Sequence, residues 1–266
     1  MTSFAWERDE ATIGTVDESQ RMAARVVGII YLLALVTANF SIFYVRSRLI
    51  VSGNAAETAR NIMANERLFR LGIASDLVTF AADVILVVAL FVVLRSVDRN
   101  LALLAAAWRL VETAVFVVIT FSSFDVLRLL SGAGYLRVLE ADRLQALASL
   151  NVGAYSDGYK VGLVFFGLGS TVFSYLWFKS RYVPRGLAAL GMFSSLLVAT
   201  CALALLVVPE FANIAVPAYI VPIFLFELTM GIWLLARGLR QSAVRQPLKS
   251  VGSPTTPQPQ RGSPGQ

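Results

Sequence analysis

The chain has 266 residues, 57% of them hydrophobic and 15% charged, with 23 Lys and Arg against 17 Asp and Glu for a formal net charge of +6. That balance is far from the soluble average and excludes an ordinary water-soluble domain. With no histidine and a single cysteine, Cys201, the chain has no imidazole metal site, His-ligated haem, Ser-His triad, internal disulfide or thiolate cluster to offer.

Residues 1–22 read as a polar N-terminal tail, and their acids Glu7, Asp9, Glu10, Asp17 and Glu18 do not suit a secretory signal. A first apolar span follows from about Val26 to Val45, with Arg21 and Arg25 before it and Arg46 and Arg48 after it. Residues 46–70 read as a connecting loop. Within it, Asn54 with Glu57 three residues on forms a capping-box variant. Ile62, Met63 and Phe69 then give a short amphipathic helix at the interface.

The second span runs from about Leu71 to Leu94 and the third from Leu101 to Phe124, with the turn Arg95-Ser-Val-Asp-Arg-Asn100 between them. Ser131-Gly-Ala-Gly134 ends the third. Residues 135–150 place Leu136, Leu139, Leu147 and Leu150 on one face and read as a second interfacial helix. The fourth span, Val161 to Phe178, is the shortest of the set. In it Gly167 and Thr171 form a small-xxx-small pair suited to packing within the bundle. The fifth span covers Leu187 to Val208. The sixth covers Ala215 to Ala236, with Pro217 and Pro222 near its start. Residues 239–266 hold five prolines among Ser, Gly and Gln and read as a disordered basic tail. Tyr31, Tyr44, Tyr155, Tyr159, Trp177 and Tyr182 fall near span ends, where interfacial aromatics gather.

A helical run of about 20 apolar residues matches the ~30 Å hydrocarbon core of a bilayer, and lipid leaves the backbone no partner except itself. The fold class is therefore all-α: a polytopic integral membrane bundle of about six transmembrane helices with short interfacial helices. Residues 23–238 form the bundle between the two tails. With the N-terminus inside, the inner segments carry thirteen basic residues and the outer segments nine. The inner turns are also shorter, so the charge bias places both termini in the cytoplasm of a multi-pass protein of the cytoplasmic (inner) membrane. The basic residues are accounted for by topology and contact with the lipid bilayer, and no nucleic-acid module is present.

The spans contain five ionisable residues: Asp76, Asp83, Arg109, Glu112 and Glu227. Each such residue costs roughly 2.5–3.5 kcal/mol on insertion scales, so it is expected to face the bundle interior and find a partner. Asp83 lies 11 residues before Leu94 and Glu112 lies 11 after Leu101. Across the hairpin turn the two carboxyls are therefore level. Arg109 and Glu112, three apart, share a helix face, so Arg109 can bridge both acids. Asp76 sits roughly 10 Å further out on a similar face, and Glu227 lies close to the depth of Arg109. One base against three deep acids leaves a deficit of positive charge. Either a carboxyl stays protonated, or a cation, water or amine-bearing ligand completes the set. The structural alternative is that the pairs fix helix packing. Asn39, in the first span, would bond another helix or line a cavity.

The run Glu57-Thr-Ala-Arg-Asn-Ile-Met-Ala-Asn-Glu66-Arg-Leu-Phe-Arg70-Leu-Gly72, with Asp76, Asp83, Arg95 and Arg109 beyond it, resembles the bacterial membrane-protein family known as domain of unknown function 4386. The later Phe165-Phe-Gly167-Leu and Phe178-Lys-Ser180-Arg-Tyr-Val-Pro184-Arg-Gly-Leu187 are similar to it as well. The likeness extends over about residues 20–238. It implies a multi-pass helical protein and carries no catalytic residues or cofactor. Three function classes remain. The first is a protein that binds or conducts a small polar ligand or cation at the acid-rich cluster. The second is a non-catalytic membrane scaffold or regulatory subunit. The third and least supported is an intramembrane enzyme, since no nucleophile motif or metal-ligand spacing is present and no catalytic residue is assigned.

Overall fold

The computed structural model describes residues 17–134 and 138–240. Helix α1 (Glu18–Asn39) continues through a π-helical segment (Phe40–Arg46) into one turn, α2 (Ser47–Leu49). A loop leads to α3 (Ala55–Ala64), followed by α4 (Glu66–Leu94), α5 (Arg99–Leu130), α6 (Ala141–Ser180), α7 (Arg185–Val207), a short 3-10 turn (Pro209–Phe211) and α8 (Ala212–Ala236). Six of these units are long and apolar enough to cross a membrane: Glu18–Leu49, α4, α5, α6, α7 and Pro209–Ala236. The described residues contain no strand. The protein is a multi-pass helical bundle of the expected class.

Local chemistry sets the helix ends. Asp17 caps α1 in a reciprocal box with Gln20, so the last residues of the polar N-terminal segment, 18–22, already belong to the helix. The carboxamide of Gln20 also donates to the Val93 carbonyl at 3.2 Å and to Ser96 Oγ at 2.8 Å, fastening the start of α1 to the end of α4. Asn54 accepts from the Glu57 amide at 3.0 Å, and its own amide donates to the Glu57 carboxylate at 2.8 Å. Helix α3 therefore forms where its cap predicts. Asp98 caps α5 by accepting from the Leu101 amide at 3.1 Å. Gly132, with φ of +67°, occupies the left-handed region just beyond α5.

The fourth span departs most from expectation. It is the longest helix among the described residues, 40 residues rather than the shortest span. Residues 141–150 are its opening turns and not a separate interfacial helix; residues 135–137 of that candidate lie outside the described residues, as do 1–16 and 241–266 of the two tails. At a rise of 1.5 Å per residue, α6 is about 60 Å long, twice the hydrocarbon thickness.

The six long helices form a ring in chain order. Each packs on its sequence neighbour, and α8 closes back on α1. Bare glycine backbones allow the tightest seams. A Cβ on Gly28 would lie 3.0 Å from the Gly231 carbonyl oxygen, where α1 meets α8. A Cβ on Gly167 would lie 2.6 Å from both the Ser195 oxygen and the Ala199 nitrogen, where α6 meets α7. The Gly167 small-residue site is thus a packing seam within the bundle.

The half of the ring nearest the Arg95–Asn100 turn is dry. Leu86, Leu90, Ala105, Phe173, Trp177 and Met230 fill it as part of one buried cluster. Trp177 is 1% exposed, and Tyr31, Tyr155 and Tyr182 are also buried. These four aromatics are core residues, not members of an interfacial belt. The opposite half is less completely filled, and the polar residues of interest lie there and at its base.

Candidate functional site

A cavity of about 630 Å³ occupies the ring interior. It extends from the Ile50–Gly53 loop down to the mid-helix level of Asp83 on α4, Glu112 on α5 and Glu227 on α8, and Asp76 lines it higher on α4. Four of the five predicted residues therefore face one space. The fifth, Arg109, is not part of the lining. It is 2% exposed and sits behind the wall.

Arg109 forms the bridge expected across the hairpin. Its Nη2 donates to Asp83 Oδ1 at 3.3 Å, and its Nη1 stands 2.9 Å from Glu112 Oε2. The second contact is an ion pair without an aligned hydrogen bond, and neither of its two atoms has a hydrogen-bond partner. The guanidinium also lies over the Phe166 ring, 4.4 Å from its centroid. Gly169 of α6 makes room for this arrangement, since a Cβ there would come within 2.7 Å of Arg109 Cγ.

Asp76 belongs to a second ion pair. Arg46 Nη2 donates to Asp76 Oδ2 at 2.8 Å, and the Tyr155 hydroxyl donates to the same oxygen at 2.9 Å. Arg46 lies over the Tyr155 ring, 3.6 Å from its centroid, and reaches Ser123 Oγ at 3.4 Å. The sequence pattern makes Arg46 an outer flank of the first span, but the π-helical segment carries it inward to Asp76. The same pattern makes Tyr155 an interfacial aromatic, but α6 extends far enough to make it an internal donor. Neither residue is a candidate on sequence grounds. The only signal for Arg46 is its position directly after an apolar span, which is common to many topology-setting arginines.

Glu227 makes no hydrogen bond or ion pair among the described residues, and its half-buried side chain lines the cavity. Asn39 also lines the cavity while donating to the Leu35 carbonyl of its own helix, so it does not join another helix. Rings of Phe80, Phe116, Tyr159 and Phe166 supply apolar wall, with Phe116 and Tyr159 stacked at 4.7 Å. Below the acids, the dry cluster around Leu86, Phe226 and Met230 closes the space toward the Arg95–Asn100 end. Chemically, the arrangement is a chamber closed toward the Arg95–Asn100 end, with four carboxylates and one guanidinium, Arg46, in its lining.

The sequence profile of the family described as domain of unknown function (DUF4386) matches residues 26–238, nearly the whole bundle. The chain belongs to the DUF4386 family. An uncharacterised protein of Archaeoglobus fulgidus is 25% identical over 162 residues, covering 61% of this chain and 80% of that protein. No solved structure matches the chain. Membership in DUF4386 agrees with the resemblance carried by the Glu57–Gly72 and Phe178–Leu187 stretches and brings no activity with it.

Proposed function

We propose that this DUF4386 protein binds a small cationic or polar ligand in the acid-lined cavity, from the side on which the Ile50–Gly53 loop lies. The observation that carries this reading is the charge inventory of the chamber. Arg46 is engaged by Asp76, and Arg109 by both Asp83 and Glu112. Glu227 faces the same space without a cation of its own. Intramembrane acids are costly enough that an unpaired one facing a cavity marks a site. The volume falls within the range of ordinary ligand pockets.

The dry core beyond Asp83 and Glu112 favours a binding chamber over an open conduit. By the charge bias of the loops, the mouth faces away from the cytoplasm and both termini lie inside, in the cytoplasmic membrane. The test is a thermal-stability screen of the purified protein in lipid nanodiscs against a panel of inorganic cations and protonated amines. A cation that raises the melting temperature of the wild type but not of Glu227→Gln supports the reading. A panel without any such cation removes it.

The scaffold reading has one specific observation in its favour. Arg109 is fully enclosed and bonded on two sides, as a packing pin would be. The two roles divide the cluster: Arg109 with Asp83 holds α4 against α5, and Glu227, which faces the cavity without an ion pair, remains for a ligand.

A further inference from the structure

We propose that the ligand is an organic ammonium carrying an apolar body, rather than a metal or alkali ion. This rests on the reading of the cavity as a cation or polar-ligand site.

The bundle itself shows twice how it neutralises an acid that lines this chamber. Arg46 places its charge on Asp76 and its flat face on Tyr155. Arg109 places its charge on Asp83 and Glu112 and its face on Phe166. Both are nitrogen cations held between carboxylate and ring, a pairing that gains strength away from water. Glu227 presents the same carboxylate to the same chamber, with Phe224 three residues before it on α8 also in the lining, and it forms no ion pair among the described residues, Arg109 acting on it only through space. The third instance lacks only its cation.

A second observation points the same way. Glu112 is 1% exposed and lines the chamber, and its Oε2 is ion-paired to Arg109 at 2.9 Å without an aligned hydrogen bond. This carboxyl is held by charge and is short of a directed hydrogen bond, which an N–H donor can supply. An ammonium brings three donors. A bare metal ion needs several oxygens converging on one point. Among the described residues no group of three or more His, Cys, Asp or Glu side chains could hold one. The chamber is also many times larger than an ion. The space above the acids is walled by Phe80, Phe116, Tyr159 and Ile223, which suits hydrocarbon rather than a hydration shell.

The lining along α1 and α8 gives the apolar body a route. Residues Ala34 to Phe43 and Val216 to Glu227 face one another across the chamber, and Phe43 and Phe224 also reach the outer surface. The two helices touch at Gly28 and Gly231 and again where Tyr31 meets Phe226, and beyond that level both line the chamber. A lipophilic amine therefore meets the chamber from the bilayer as well as from the loop end.

The test uses the full chain in nanodiscs, with empty nanodiscs as the partitioning control. Phenylpropylammonium, its uncharged counterpart phenylpropanol, and potassium are titrated by calorimetry and by melting temperature. The expected result is saturable binding of the ammonium, none of the alcohol, and at least about tenfold weaker ammonium binding by Glu227→Gln, with Glu227→Asp in between. Equal binding of ammonium and alcohol overturns the proposal. Glu227-dependent binding of potassium without binding of the ammonium overturns the ligand class but leaves the cation site standing. Absence of binding by either ion overturns both readings. Should Glu227→Gln fail to fold, the ammonium–alcohol comparison on the wild type and Glu227→Asp decides.

Discussion

Gly169 of α6 leaves the space that the Arg109 side chain of α5 fills: a Cβ on the glycine would stand 2.7 Å from Arg109 Cγ and 2.9 Å from the Ala105 carbonyl oxygen. The smallest side chain added there must move either backbone or the buried guanidinium. Gly169→Ala should therefore lower stability by about 1–3 kcal/mol, the usual cost of overpacking. Gly153→Ala, on the same helix with nothing within 4 Å of its Cβ position, should be near neutral or slightly stabilising. Melting temperatures in detergent compare the two.

Asp83 and Arg109 should behave as a coupled pair. Arg109→Gln leaves Asp83 and Glu112 without their cation, and breaking a buried pair by losing one partner costs about 3–5 kcal/mol. Asp83→Asn leaves Arg109 its Glu112 contact at 2.9 Å and should cost less. The double variant should be more stable than the two single losses predict, by about 0.5–3 kcal/mol of interaction energy. Strict additivity would show that the 3.3 Å contact does not couple the two helices.

Asp76 accepts from both Arg46 and Tyr155. Tyr155→Phe removes only the hydroxyl donor and keeps the ring beneath Arg46, so it should cost about 1–2 kcal/mol, the scale of a hydrogen bond to a charged group. Tyr155→Leu removes the ring as well and should cost more, through loss of the cation–π contact. If the two variants unfold at the same temperature, the ring under Arg46 contributes nothing.

Six crossings return the chain to the side on which it began. In a Cys201→Ser background, Ser19→Cys and Arg99→Cys should react with an impermeant thiol reagent from one face and Arg60→Cys from the other, all three positions being exposed. In the orientation proposed above, the first face is the cytoplasmic one. Labelling of Ser19→Cys and Arg60→Cys from the same face would refute the six-span topology.

The spans and the core of the charge cluster are legible in the sequence because both depend on length. A bilayer of fixed thickness turns hydropathy into helix count. Counting equally from the Leu94 and Leu101 ends of a hairpin puts Asp83 beside Glu112 with Arg109 between them, and the structure has that bridge. The Arg46–Asp76 pair is not legible. Seven residues of π-helix, Phe40–Arg46, wind more residues into each turn and rotate the chain beyond them away from its α-helical phase. A helical wheel extrapolated from α1 therefore points Arg46 the wrong way. Tyr155 is hidden for a different reason. The stretch around it contains Asn151, Ser156, Asp157 and Lys160, polar enough to end a hydropathy window while remaining helical. The cavity itself has no sequence signal, because a void is set by where six faces fail to meet.

The glycine contact between the first and last spans has a consequence for biogenesis. Asp83, Arg109 and Glu112 lie on consecutive helices and can neutralise one another as soon as that hairpin enters the bilayer. The flank of α1 around Gly28 cannot gain its neighbour until Gly231 has been translated, more than a hundred residues later. Until then the nascent protein is an open horseshoe whose ends wait in lipid, and Glu227, delivered with the closing helix, is the last acid to reach the interior.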